Sequence, residues 1–126
     1  NFDYVTSYYG MFSSMPNLKE IVMEKFDLSR VRSIEEMFAN CTSLESISFI
    51  DCDLSAVETM AKMCLGCTKL KTLKFVRCKL SIACDYWYML SKCPSIESIT
   101  VPLEIYRLIV QETPELESTS VTWHSA

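Results

Sequence analysis

The chain has 126 residues, 49% of them hydrophobic, with two glycines, four prolines and a net charge of −4. That composition excludes a disordered or low-complexity chain and argues against non-specific binding to nucleic acid. The longest unbroken apolar run, Tyr86-Trp87-Tyr88-Met89-Leu90, is far short of the roughly 18 residues that span a bilayer, so a soluble chain without membrane insertion is expected. No initiator Met, signal-peptide pattern or lipidation motif is present, and the sequence reads as processed or as a piece of something longer.

From the N-terminus onward one phrase recurs. "MFSSMPNL" begins at Met11, "MFANCTSL" at Met37, "MCLGCTKL" at Met63 and "MLSKCPSI" at Met89, a spacing of 26 residues each time. Behind each phrase the apolar residues fall into columns: Leu18, Leu44, Leu70 and Ile96; then Ile21, Ile47, Leu73 and Ile99; then Met23, Phe49, Phe75 and Val101. The alternation within each copy predicts a short strand that buries one face. Between strands, Val31, Ile34, Met37 and Phe38 fall at i, i+3, i+6 and i+7, and Val57, Met60, Met63 and Cys64 repeat the spacing, which predicts a helix. Near the N-terminus, "FDYVTSYYG" matches "LSRVRSIEE" and forms a partial unit; near the C-terminus, "PELESTSV" matches "PSIESITV" at a spacing of 20 and forms a shortened one. A lone unit cannot bury its apolar side, but stacked units lay like residues on like and build a continuous core.

The middle copies read L-x-x-L-x-L-x-x-C-x-L, which resembles the leucine-rich-repeat signature. "FDLSRVRSIEEMFANCTSL" looks like the M-F-x-x-C-x-x-L repeats of BspA-like proteins, and "CTKLKTLKFVRCKL" is similar to the cysteine-containing 26-residue repeats of intracellular adaptors, F-box proteins among them. The resemblance implies an α/β fold over residues 1–126: a right-handed solenoid of about five strand-helix coils with its parallel sheet on the concave face. Its repeats start near 11, 37, 63 and 89, with partial units at both ends, and it reads as the C-terminal part of a longer array. The two subfamilies imply opposite compartments, and the compartment is left open between the cell surface and the cell interior.

The seven cysteines, an odd number, fall mostly into columns. Cys41, Cys67 and Cys93 share one and Cys52 and Cys78 another; Met15 and Phe26 fill the same columns in the first copy, so each slot is expected to want an apolar body, with the thiols free and buried. That favours a reducing interior, whereas cross-unit disulfides would favour the surface. Cys64-x-x-Cys67 lacks the second half of a zinc site, and no metal or other cofactor is expected. Asn40-Cys41-Thr42 is formally a glycosylation sequon, but Asn40 and Gly66 suit a left-handed exit from the preceding helix. Neither a nucleophile with its base nor a phosphate-binding loop is present, and the acidic residues Glu35, Glu36, Glu58 and Glu112 read as a solvated helix face. The chain is not expected to be an enzyme.

What remains is surface. The positions between the core leucines point outward from the sheet: Glu20, Ser46, Thr72, Ser98 and Ser118; then Val22, Ser48, Lys74, Thr100 and Ser120; then Glu24, Ile50, Val76, Pro102 and Thr122. Ser46, Ser48, Ile50, Thr72, Lys74, Val76, Arg77, Ser98 and Thr100 are the candidate partner-binding residues on this face. Lys69, Lys71, Lys74, Arg77 and Lys79 form a basic cluster, and pairs such as Lys71 with Glu45 or Glu97, and Arg77 with Asp51, are expected to balance it. On the opposite side Tyr9, Trp87 and Tyr88 stand in otherwise polar columns, and Trp123 lies near the last strand; these four are further candidate contacts, although Trp123 at that place also suits shielding of the last coil. The expected function is a non-catalytic protein-protein interaction scaffold. A BspA-like cell-surface adhesin binding a host or matrix protein is one alternative, and a structural piece that self-assembles through its open N-terminal coil is the other.

Overall fold

A computed structural model describes residues 5–118 and 120–126. The start of the first expected unit, residues 1–4, and Thr119 in the last lie outside the described residues. Five strands form one sheet, all parallel and in chain order: β1 (Glu20–Glu24), β2 (Ser46–Ile50), β3 (Thr72–Val76), β4 (Ser98–Val101) and β5 (Thr122–Ser125). Together with one helix, α1 (Leu103–Glu112), this is an α/β arrangement.

The repeat sets the register. Ile21, Ile47, Leu73 and Ile99 are direct partners across β1 to β4, as are Ser48, Lys74 and Thr100. Side chains alternate across a strand, so Ile47, Phe49, Leu73, Phe75, Ile99 and Val101 go inward and are buried, while their neighbours remain partly or fully exposed. Phe49 stacks on Phe75 with ring centroids 4.9 Å apart and planes within 7°, and Phe12 stacks on Phe38 at 5.7 Å. One core cluster runs from Met23 to Leu116.

The expected helices between the strands are not there. Residues 31–38 and 57–64 form successive tight turns. In the second unit Met37, Ala39 and Cys41 donate their N–H groups to carbonyls three residues back, whereas Ile34, Glu36, Phe38 and Asn40 donate to Thr59, Ala61, Met63 and Leu65 in the next unit. An α-helix would spend all of these N–H groups internally. The turns need a left-handed residue every fourth position, and two columns supply it: Gly10, Glu36, Lys62 and Tyr88, then Ser14, Asn40, Gly66 and Lys92, all with φ between 50° and 76°. The expectation for Asn40 and Gly66 therefore holds, in a turn rather than at a helix exit. A third left-handed column, Lys25, Asp51 and Arg77, bends the chain out of each strand.

The C-terminal unit also differs from its expected form. Pro102 is not on the sheet; it is the N-cap residue of α1. The segment matched to β4 at a spacing of 20 forms a short 3-10 helix (Pro114–Ser118), and β5 instead pairs Thr122 with Ser98 and Trp123 with Ile99. Ser118 and Ser120 thus precede the strand, and Thr122 takes the place expected for Ser118. Ten residues spent on α1 leave too few to copy the turn segment, so two acids substitute for the missing acceptors. Glu112 is not a solvated outer residue: its carboxylate accepts the Tyr86 N–H at 2.9 Å and its carbonyl the Tyr88 N–H at 2.9 Å. Glu115 accepts the Ser91 hydroxyl at 2.7 Å and the Lys92 N–H at 2.9 Å.

Gly66 and Gly10 separate two costs. Both are left-handed, but a Cβ on Gly66 would run into the Asn40 Oδ1, whereas one on Gly10 meets only the Ser13 Oγ at 3.6 Å. Gly66→Ala is expected to cost about 2–3 kcal/mol and Gly10→Ala about 1 kcal/mol, an order that urea unfolding of the two variants would read directly.

Candidate interaction site on the sheet face

The outward side of the sheet carries three rows. Glu20, Ser46, Thr72, Ser98 and Thr122 form the first, Val22, Ser48, Lys74, Thr100 and His124 the second, and Glu24, Ile50 and Val76 the third. Eight of the nine candidate residues therefore sit side by side on one surface, spaced about 4.8 Å between strands. Most are half-exposed, and Lys74 is exposed. The Ser46 hydroxyl donates to the Glu20 carboxylate at 3.3 Å. Arg77, the ninth, lies just beyond β3, where its Nε and second guanidinium nitrogen reach the two Asp51 oxygens at 2.6 and 3.2 Å. This two-point contact holds Asp51 below the usual carboxylate range. The expected Lys71 pairs with Glu45 or Glu97 are not formed; the second ion pair among the described residues joins Arg32 to Glu58 at 2.9 Å.

The aromatic candidates are not part of this face. Tyr9, Trp87 and Tyr88 lie in the turn segments, Tyr9 and Trp87 in the same column three units apart. Trp87 is 47% exposed, packs on Tyr88 with centroids 4.3 Å apart and has the Lys62 ammonium 5.2 Å over its ring. The Tyr9 hydroxyl donates to Glu36 at 2.9 Å, which pushes its pKa up. Trp123 is half-buried on the core side of β5; its indole N–H donates to the Val101 carbonyl at 2.9 Å and its ring packs near Tyr106, the geometry of a residue that shields the last strand. A cleft of about 540 Å³ that the sequence reading passed over crosses three units, with a mixed lining that includes Ser29, Arg32, Ser55, Val57, Glu58 and Ser81.

Residues 1–99 match a family described as "Mycoplasma protein of unknown function, DUF285". The chain belongs to this DUF285 family. No curated protein and no solved structure matches it.

All seven cysteines of the DUF285 chain are free, and all but the half-buried Cys78 are buried. Their columns want more than an apolar body. Cys41, Cys67 and Cys93 donate their thiols to the carbonyls of Phe12, Phe38 and Cys64 at 3.0 to 3.1 Å, each 29 residues back, and Cys52 and Cys78 reach Met23 and Phe49 at 3.3 and 3.2 Å. Met15 and Phe26 misled the sequence reading because the first unit leaves those slots open: both are nearly half exposed. No group of three or more metal-ligating side chains is present among the described residues, and no helix among them is long and apolar enough to cross a membrane.

Two consequences follow for the DUF285 chain. Cys67→Ala removes a buried donor and leaves a gap, and is expected to cost on the order of 1–3 kcal/mol, while Lys74→Ala on the open face stays within about 0.5 kcal/mol of the parent; thermal unfolding would rank them. Burial also pushes the Cys84 thiol up to about 12 and raises the Tyr86 hydroxyl, which donates to the Ser81 carbonyl. The unfolded chain then releases these protons at lower pH than the folded one, so stability is expected to fall as pH rises from about 9 through 12. Denaturation midpoints measured across that window would check the sign.

Proposed function

We propose that this DUF285 chain is a right-handed leucine-rich-repeat solenoid that acts as a non-catalytic protein-interaction scaffold through its exposed sheet face. The observation that carries the reading is the continuity of that face: Ser46, Ser48, Thr72, Ser98 and Thr100 lie in register on adjacent strands, backed by side chains buried to within 1%. Small hydroxyl side chains let a partner backbone approach closely, and a rigid core behind them limits the entropy lost on binding. Ile50 and Val76 add an apolar strip along one border. A catalytic role has less to draw on, since six of the seven thiols donate to carbonyls and His124 stands exposed on the last strand. An adaptor inside the cell and a BspA-like adhesin on its surface would use the same face.

Self-assembly is the second reading, favoured by the first unit. Val5, Met11, Met15, Val22 and Phe26 are 44–55% exposed there, and Met11 is 55% exposed where its column mates Met37, Met63 and Met89 are fully buried.

Affinity capture from source cells tests the main reading. A protein recovered with the parent chain should be lost with Ser48→Arg/Thr100→Arg and kept with Thr42→Arg, which lies on an exposed turn away from the sheet, all three baits unfolding at similar temperatures. Equal recovery by all three baits would remove the sheet face as the binding site.

A further inference from the structure

We propose that the partner offers this face an acidic protein segment, with one carboxylate seated on Lys74 among the hydroxyls of Ser48, Thr72 and Thr100; the inference rests on the scaffold reading above. Lys74 is the middle residue of the middle strand, exposed, with Ser48 and Thr100 as its register partners on either side. Of the nearby cations, Arg77 is bound to Asp51 and Arg32 to Glu58, and Lys62 lies over Trp87; Lys71 and Lys79 form no ion pair among the described residues either, but they lie outside the three outward rows of the sheet. Lys74 has no carboxylate within ion-pairing distance among the described residues, and its lateral neighbours bring hydroxyl donors instead.

The same face shows what such a site does. Glu20 already rests its carboxylate on the Ser46 hydroxyl, one row over, and a partner's carboxylate would find at Lys74 a full charge in addition to the hydroxyls. The surroundings select a short acidic group over a long polyanion. Glu20, Glu24, Glu45 and Glu97 stand about 11–12 Å from Lys74 by strand spacing and rise and the chain as a whole carries −4, so a nucleic acid long enough to cross the face would meet repulsion on both sides of the lysine. Val76 follows Lys74 on the same side of β3, about 7 Å along the strand, with Ile50 as its register partner. An extended segment carrying an acidic residue and, two residues away, an apolar one matches both.

The test is an NMR titration of the chain with a capped peptide holding Glu and Leu two residues apart. Saturable shifts at the Ser48, Lys74 and Thr100 amides are expected, weakening with added salt and weakening about tenfold in Lys74→Glu; a peptide with Lys in place of Glu should bind that variant better than it binds the parent. Absence of saturable shifts, unchanged binding by Lys74→Glu, or the same shifts with oligothymidylate would overturn the proposal. If the peptide fails while Ser48→Arg/Thr100→Arg still abolishes partner capture, the acidic chemistry falls and the scaffold reading stands; if capture is also indifferent to the face, both fall.

Discussion

Every second backbone N–H in the turn segments finds its acceptor in the neighbouring unit, and the architecture depends on that constraint. A buried N–H without a partner costs on the order of 1–3 kcal/mol, and Gly10, Phe12, Glu36, Phe38, Lys62 and Cys64 all sit on or against the core with their N–H groups directed sideways. No unit can satisfy these donors alone. The unit length is fixed by the same requirement, because a neighbour longer or shorter by one residue would present N–H groups where carbonyls are needed. The left-handed residues follow from it as well: a right-handed turn train would wind into a helix and withdraw the donors inward. Glu36, Lys62 and Tyr88 take φ values near 50°, a conformation that suits glycine better, and each then donates to Ala61, Trp87 or Glu112 across the stack.

At the C-terminal end the constraint has to be met differently. A fifth turn segment is absent beside Tyr86, Tyr88 and Lys92, and their N–H groups are taken by Glu112 and Glu115. An ionised carboxylate accepts several hydrogen bonds at once, so two side chains and one carbonyl do what a row of backbone carbonyls does elsewhere. Helix α1 delivers Glu112 from its last residue, and the short 3-10 helix delivers Glu115 while burying Leu116. The cap is therefore built from a different secondary structure for the same hydrogen-bond reason.

The strands and their register were legible in the sequence, because Ile47, Leu73 and Ile99 recur at one spacing and a parallel sheet pairs residues at that spacing. The turn segments were not. Apolar residues at i, i+3, i+6 and i+7 suit one face of a helix, and they suit a train of overlapping four-residue turns equally well; only left-handed residues distinguish the two, and Gly10, Asn40 and Gly66 were the visible part of columns otherwise filled by Glu, Lys, Tyr and Ser. The last strand was misplaced because "PELES" copies "PSIES" in letters while lacking the turn segment that would carry it to the same place. Within the candidate face, the outward rows across β2 to β4 followed from strand alternation alone. That Arg77 is tied to Asp51, and that Lys71 is not tied to Glu45 or Glu97, depends on side-chain reach and could not be read from spacing.

Core columns and face columns obey different rules, and that difference leaves the sheet face free to vary. A core column repeats its residue type because each unit presents the next with the same pocket: Met37, Met63 and Met89, or Leu44, Leu70 and Ile96. A face column meets solvent or a partner, so nothing in the fold requires Val22, Ser48, Lys74, Thr100 and His124 to agree. Fixed register turns that freedom into an address, since a change at one unit alters one spot on the surface, about 4.8 Å from the next, without disturbing the hydrogen bonds that hold the stack. Lys74 is the fully charged residue of its row, flanked by hydroxyls and backed by Leu73 and Phe75, which anchor its strand in the core. A charge so placed contributes little to folding, and on the proposed scaffold reading its energetic weight is available to a partner.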